Sequence, residues 1–142
     1  GGIYIEPLHV SEDVIALHLM LKKNIYRIRY RWSVVFNRDL KDMLTSLDSA
    51  ISGTLKSGIA KNRCSEMLKS VKAAIARFTA TPFSVDVCGI GVEYCDYPSL
   101  NECLYRDVVL ENGMAVKIEV EVKEKIYLPK LVVFREGGVE VY

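Results

Sequence analysis

The chain has no glutamine, five asparagines, two histidines and one tryptophan among its 142 residues. Depleted thermolabile amides beside plentiful Lys, Arg and Glu resemble thermophile usage. No apolar run approaches the roughly 20 residues of a bilayer-spanning helix, so no membrane partner is expected. The first residues lack a basic stretch followed by an apolar one. No signal peptide is therefore expected, and the expected location is cytoplasmic.

Cysteine is present but poorly spaced for metal. Cys64, Cys88, Cys95 and Cys103 include no C-x-x-C pair, whereas zinc knuckles place two ligands close together. Buried free thiols are the first expectation, with disulfides reserved for a hyperthermophile. His9 and His18 both lie in the N-terminal segment, and because spatial adjacency is not visible in a sequence no Ser-His-Asp or Cys-His set is placed. Gly89-Ile90-Gly91 lacks the third glycine of a dinucleotide loop, and no P-loop occurs. No catalytic residue, metal or cofactor is expected.

What the chain does have is charge sorted by segment. Lys22 to Arg77 holds 13 Lys/Arg against four Asp/Glu, a local net charge of +9. The remainder holds six against 14, or −8, so the overall +1 hides a basic middle between acidic ends. Such a split suggests a polyanion partner or self-association through opposite fields.

The length suits one globular domain spanning residues 1–142. Ile3-Tyr4-Ile5 reads as a short strand ended by Pro7. Ser11, Glu12 and Asp13 resemble a helix start, and Val14 to Leu21 reads as a short apolar helix stopped at Asn24. From Ile25 to Phe36, Tyr26, Ile28, Tyr30, Trp32, Val34 and Phe36 share one face, and Arg27, Arg29, Arg31 and Ser33 share the other. Its β-branched and aromatic content predicts a strand. Asn37 caps a helix carrying Leu40, Met43, Leu44, Leu47, Ile51 and Leu55, which ends at Ser57-Gly58. A second helix carries Cys64, Met67, Leu68, Val71, Ile75 and Phe78, and Pro82 stops it.

Beyond Pro82 the period becomes two. Phe83, Val85 and Val87 alternate with polar residues. Asp96 to Asn101 reads as a loop. Asn112-Gly113 predicts a hairpin from Cys103 to Lys123 that sets Arg106 opposite Glu119. A last hairpin is expected from Ile126 to Tyr142 around Gly137-Gly138, with Arg135 facing Glu140 and Phe134 facing Val141. The fold class is α+β: an N-terminal helix, a strand and a helical hairpin packed on a mainly antiparallel sheet. The helical stripe should meet Val116, Ile118, Val120 and Val122, and the strand at Ile25–Phe36 should join that sheet.

Arg27, Arg29 and Arg31 would stand about 7 Å apart on one strand face, near the spacing of successive phosphates. Lys61, Arg63, Lys69 and Lys72 could widen that surface, since Glu66 is the only acid between Lys61 and Arg77. Non-enzymatic nucleic-acid binding through phosphate contacts is therefore the leading expectation. A plainer reading makes the arginines a sheet face paired with Glu119 and Glu121 of a neighbouring strand. A different class of function is assembly. The basic middle of one copy, or of a partner protein's counterpart, would dock on Glu119, Glu121 and Glu124 as an oligomer or scaffold. Last, Asp107 with Glu121-Val122-Lys123 resembles the metal-dependent nucleases of the PD-(D/E)xK type. The expected hairpin register sets Asp107 on the face opposite Glu121 and Lys123, which ranks this reading third.

Overall fold

The computed structural model describes residues 1–57, 63–91, 95–106, 108–123 and 125–142. Strands β1 (Gly2–Val10), β2 (Val14–Lys23) and β3 (Tyr26–Val35) form a separate antiparallel sheet in that order. The helix expected over Val14–Leu21 is strand β2. Leu17, Leu19 and Leu21 alternate with His18, Met20 and Lys22, and pairing on both sides fixes the extended form. Ser11 does hold the Val14 N–H on its hydroxyl at 3.2 Å. A helix cap makes the same bond, but here it closes the β1–β2 turn. Asn24 adopts φ 56° and turns β2 into β3, a left-handed conformation that Asn tolerates. Nor does Pro7 end β1, because an edge strand leaves a position where its missing N–H costs no ladder bond.

Helices α1 (Arg38–Lys56) and α2 (Cys64–Phe78) lie where the apolar spacing predicts them. Asn37 caps α1, its side-chain oxygen accepting the N–H groups of Asp39 and Leu40 at 3.0 and 3.2 Å. Gly58, the expected C′ residue, lies outside the described residues.

The second sheet contains β4 (Phe83–Gly89), β5 (Asp96–Ser99), β6 (Ala115–Val122), β7 (Ile126–Arg135) and β8 (Gly138–Val141). Its order is β5-β4-β6-β7-β8, antiparallel throughout. The segment Asp96–Asn101 is not a loop. It forms β5 and the start of α3 (Leu100–Tyr105), which Ser99 and Glu102 open with a capping box. The hairpin expected over Cys103–Lys123 does not form either. Gly113 turns the chain at φ 91°, but β6 pairs with β4 and β7. Glu119 therefore lies opposite Asp86 and Pro129, not Arg106. The last hairpin turns one residue earlier than expected, at Glu136-Gly137, so Arg135 faces Gly138 and Phe134 faces Val139. Arg135 and Glu140 still form an ion pair at 3.5 Å.

The core lies between the helices and one face of the second sheet. Leu47, Ile51, Met67, Val71 and Ile75 pack on Val116, Ile118, Val120 and Val122, all at most 1% exposed. That is the expected stripe-on-strand contact. The strand at Ile25–Phe36 does not join this sheet. It remains in the first one and approaches the opposite face of β6 and β7, with one isolated bridge from Arg27 to Gly91. The cysteines are not free thiols: Cys64 pairs with Cys103 and Cys88 with Cys95. Among the described residues, no helix is long and apolar enough to cross a membrane.

Candidate functional site

Alternate residues of a strand direct both main-chain groups to the same side. In β3 the residues directing them away from β2 are Arg27, Arg29, Arg31 and Ser33. An open edge of this kind invites further pairing, but here the second sheet covers it. The Arg27 N–H donates to the Gly91 carbonyl at 3.1 Å. The Arg29 carbonyl accepts from Lys117 Nζ at 2.6 Å. The Arg31 N–H donates to Glu119 Oε2 at 3.0 Å. Farther along, Ser33 Oγ donates to the Lys125 carbonyl and accepts the Tyr127 N–H, both at 2.8 Å.

Charge concentrates in the middle of this seam. Glu119 is 3% exposed and Lys117 4%. Glu119 Oε1 accepts from Arg31 Nε at 2.6 Å and also pairs with Nη2. Lys117 Nζ lies 3.8 Å from Glu119 Oε2. The Arg31 guanidinium sits over the Tyr127 ring, 4.8 Å from its centroid, a cation–π geometry. Burial pulls the Lys117 ammonium below its ordinary pKa, with Glu119 acting against it. Burial also lowers Arg31, but the hydrogen bond and charge of Glu119 outweigh it and leave the group raised. Tyr127 is raised by burial, then by its hydrogen bond to Glu121. The Glu119 carboxylate, holding a guanidinium and a main-chain N–H together, anchors the edge of β3 to the second sheet.

The two faces of the first sheet differ in chemistry. One carries Glu6, His18, Lys22, Arg27, Arg29 and Arg31 by alternation. On it, His18 Nδ1 shares a hydrogen bond with Glu6 Oε1 at 3.0 Å. The other face is apolar in cross-strand rows: Ile3-Leu21-Ile28, Ile5-Leu19-Tyr30 and Pro7-Leu17-Trp32. Ile3 is 68% exposed and Ile5 59%, and the inner members of the rows are half-buried. Where this face meets β7, Leu19, Tyr30, Trp32, Pro129, Leu131 and Tyr142 line a pocket of about 320 Å³. Pro129 and Leu131 lie opposite Glu119 and Lys117 in the β6–β7 register, so the pocket adjoins the charged seam.

Among the described residues, the sequence-predicted contacts divide between β3 and α2, on opposite faces of the second sheet. Arg27, Arg29 and Arg31 lie on β3, against the sheet face carrying Lys117 and Glu119. Lys69 and Lys72 stand exposed on α2, over the face carrying Val116 and Ile118. Arg63 opens α2 and bridges to Val109. Lys61 lies outside the described residues, as do Asp107 of the nuclease pattern and Glu124 of the assembly reading. Among the described residues, no group of three His, Cys, Asp or Glu is placed to hold a metal ion. Sequence reasoning missed Lys117 as a buried group and β2 as part of an open apolar face. The period-two alternation of Leu17, Leu19 and Leu21 was the available signal for the latter.

No family model and no curated protein matches the sequence. Solved structures do match its fold. The chain is similar to the prolidase from Pyrococcus horikoshii OT3 at 16% identity and TM-score 0.72, over 90% of this chain and 39% of that one. It is similar to the Xaa-Pro dipeptidase from Bacillus anthracis at 19% identity and TM-score 0.72, over 90% and 38%. A methionine aminopeptidase from Rickettsia prowazekii matches at 12% identity and TM-score 0.66, over 90% and 63%. The chain spans about two fifths of the length of the prolidase and dipeptidase structures it matches, and at these identities the likeness establishes a shared fold.

Proposed function

We propose that this chain is a non-enzymatic docking module whose working surface is the apolar face of the β1–β2–β3 sheet. The observation that carries the reading is the asymmetry of that sheet. The edge of β3 and the Arg31 side chain are engaged by Lys117 and Glu119, whereas Ile3 and Ile5 are exposed and the leucines of β2 beside them are only half-buried. Contiguous apolar surface of this kind marks an interaction site. The neighbours are named as prolidase, dipeptidase and aminopeptidase, and a polypeptide partner presenting apolar side chains belongs to the same broad chemistry, while Glu119 is engaged by Arg31. Cytoplasmic location belongs to the same proposal, and two disulfides there fit a thermophile-type cytoplasm.

Binding of anilinonaphthalene sulfonate to dilute, folded chain tests the reading. Dye should bind, and Ile5→Lys or Leu21→Lys should reduce its binding severalfold. A native chain that binds no dye would show that the face is not open.

Nucleic-acid contact is the second reading, favoured by exposed Lys69, Lys72 and Arg77 on α2. It predicts filter retention that falls steeply with salt and is weakened by Lys69→Ala with Lys72→Ala. Absence of retention at low salt would end it.

A further inference from the structure

Strand β1 is an edge of the first sheet, and the direction of its main-chain groups follows from that of β3. Arg27, Arg29 and Arg31 direct theirs at the second sheet. Ile28, Tyr30 and Trp32 therefore direct theirs at their β2 partners Leu21, Leu19 and Leu17, because residues alternate along a strand. Lys22, Met20 and His18 are left to turn toward β1, where they face Gly2, Tyr4 and Glu6. The outward groups of β1 thus belong to Ile3, Ile5 and Pro7. Pro7 fits this phase, since it has no N–H to leave unpaired there. Among the described residues no strand lies beyond β1, and no main-chain group meets the outward N–H and C=O of Ile3 and Ile5. The opposite edge of the sheet, on β3, is closed by Gly91, Lys117 and Glu119.

Ile3, Ile5 and Pro7 also place their side chains on the apolar face, in rows with Leu21, Leu19 and Leu17. Tyr4 and Glu6 lie on the other face. Glu6 has His18 on Oε1, yet its side chain is 58% exposed, and a carboxylate can accept further hydrogen bonds.

We infer that the outward edge of β1 receives an extended polypeptide segment as a fourth strand, with apolar side chains opposite Ile3 and Ile5 and a basic one opposite Glu6. This rests on the docking reading above and names the shape and chemistry of the partner. Outward N–H and C=O groups repeating every second residue are matched by another extended backbone. The added apolar side chains lengthen the rows Ile3-Leu21-Ile28 and Ile5-Leu19-Tyr30 by one member each. Opposite charges attract across neighbouring strands, which sets Lys or Arg opposite Glu6. A second β1 does not supply this chemistry. Gly2–Val10 contains no Lys or Arg, and its proline would leave a rung of the ladder without a donor. The register shift after Pro7 ends the usable edge. The segment is therefore short, about five residues, and so small a contact is weak and reversible.

The probe is an end-capped, fluorophore-labelled peptide Val-Lys-Val-Thr-Val, titrated with the whole chain and read by fluorescence anisotropy. Antiparallel to β1, its valines fall opposite Pro7, Ile5 and Ile3, its Lys opposite Glu6 and its Thr opposite Tyr4. The valine N–H groups then point at β1, and those of Lys and Thr point away. Anisotropy should saturate. N-methylation of the second and third valines should weaken binding by about tenfold or more, whereas N-methylation of Lys and Thr should leave it within about twofold. Exchanging the peptide Lys for Glu should weaken binding severalfold. Ile5→Pro removes one outward N–H, as Pro7 already does, and should also weaken it severalfold. If that variant fails to fold, the two methylated peptides decide the question on native chain.

No saturable binding at millimolar peptide would overturn the inference, as would equal losses for the two methylated peptides. Native chain that dimerises in sedimentation, with Ile5→Pro monomeric, would overturn it by giving the edge to a second copy. Dye binding without peptide binding would remove the added strand and leave the docking reading standing. Peptide binding with the expected methylation pattern but no dye binding would support the added strand and remove the open face.

Discussion

Glu119 grips Arg31 twice, through the guanidinium and through the main-chain N–H of the same residue. One carboxylate thereby neutralises a basic side chain and closes the strand edge from which it projects. Lys117 does the complementary work one row away, giving its ammonium to the Arg29 carbonyl.

Removing either half of this clasp should be costly. Glu119→Ala leaves Lys117 buried without its carboxylate, and Arg31→Ala leaves Glu119 buried without its main partner. Breaking a fully buried pair costs about 3–5 kcal/mol. Arg31 is 40% exposed in its side chain and can be resolvated, so we expect about 2–3 kcal/mol for Glu119→Ala and the larger loss for Arg31→Ala. Urea unfolding midpoints measure both. Losses below about 1 kcal/mol would make the clasp a surface pair.

Lys117 also sets a pH dependence. Its folded pKa is lowered, chiefly by burial, so over the window from that value up to the ordinary lysine range the unfolded chain binds more protons. Stability therefore rises with pH across the window. Above about pH 10 the raised phenols of Tyr30 and Tyr127 act oppositely, because the unfolded chain then binds fewer protons. Relative to Lys117→Met, native chain should gain stability as pH climbs toward the ordinary lysine pKa. Parallel stability profiles for the two would contradict this.

Lys130 carries a second buried charge, on the helical side of the second sheet. Its Nζ donates to Asp48 Oδ1 at 2.7 Å, and its side chain is 10% exposed. Asp48→Ala strands the ammonium and should cost about 2–3 kcal/mol. Lys130→Met replaces it with an apolar chain and should fall within about 1 kcal/mol of native. Thermal unfolding of the two variants separates these outcomes, and equal losses would refute the assignment.

The Cys64–Cys103 bridge closes a sequence separation of 39 residues. Chain-entropy reasoning assigns such a loop about 4 kcal/mol. The double variant Cys64→Ala with Cys103→Ala should lose about 3–4 kcal/mol, with the native fold retained below its lowered midpoint. Calorimetry would show the shift.

Much of the fold was legible in the sequence. Asn37 and the Leu44–Leu55 spacing defined α1, and Val116 to Val122 announced the strand that meets it. The first 23 residues misled because Ser11-Glu12-Asp13 satisfies the chemistry of a helix cap and of a hairpin turn equally. In the residues after it, the alternation of Leu17, Leu19 and Leu21 is a strand signal, but Ile15, Ala16 and Met20 between and before them also suit a short apolar helix. Asn112-Gly113 turned the chain as expected, but a turn alone does not choose the pairing partner of the strand beyond it. Strand β6 found β4 across more than 20 residues of intervening chain. Ser99-x-x-Glu102 is a capping-box spacing, and Pro98 beside it suits a loop equally well. For the site, the arginine ladder and the acids Glu119 and Glu121 that could oppose it are visible in the sequence. The burial of Lys117 was not visible, because an alternating Val/Lys/Glu strand resembles a half-exposed one until another sheet covers its polar side.

Trp32 is the single tryptophan and lies on the apolar face, so acrylamide quenching of its fluorescence reads the central claim directly. An apolar face open to solvent predicts appreciable quenching of Trp32 in dilute native chain, where it is half-buried at the edge of the pocket against β7. Quenching as weak as that of a tryptophan sealed in a core would contradict the account.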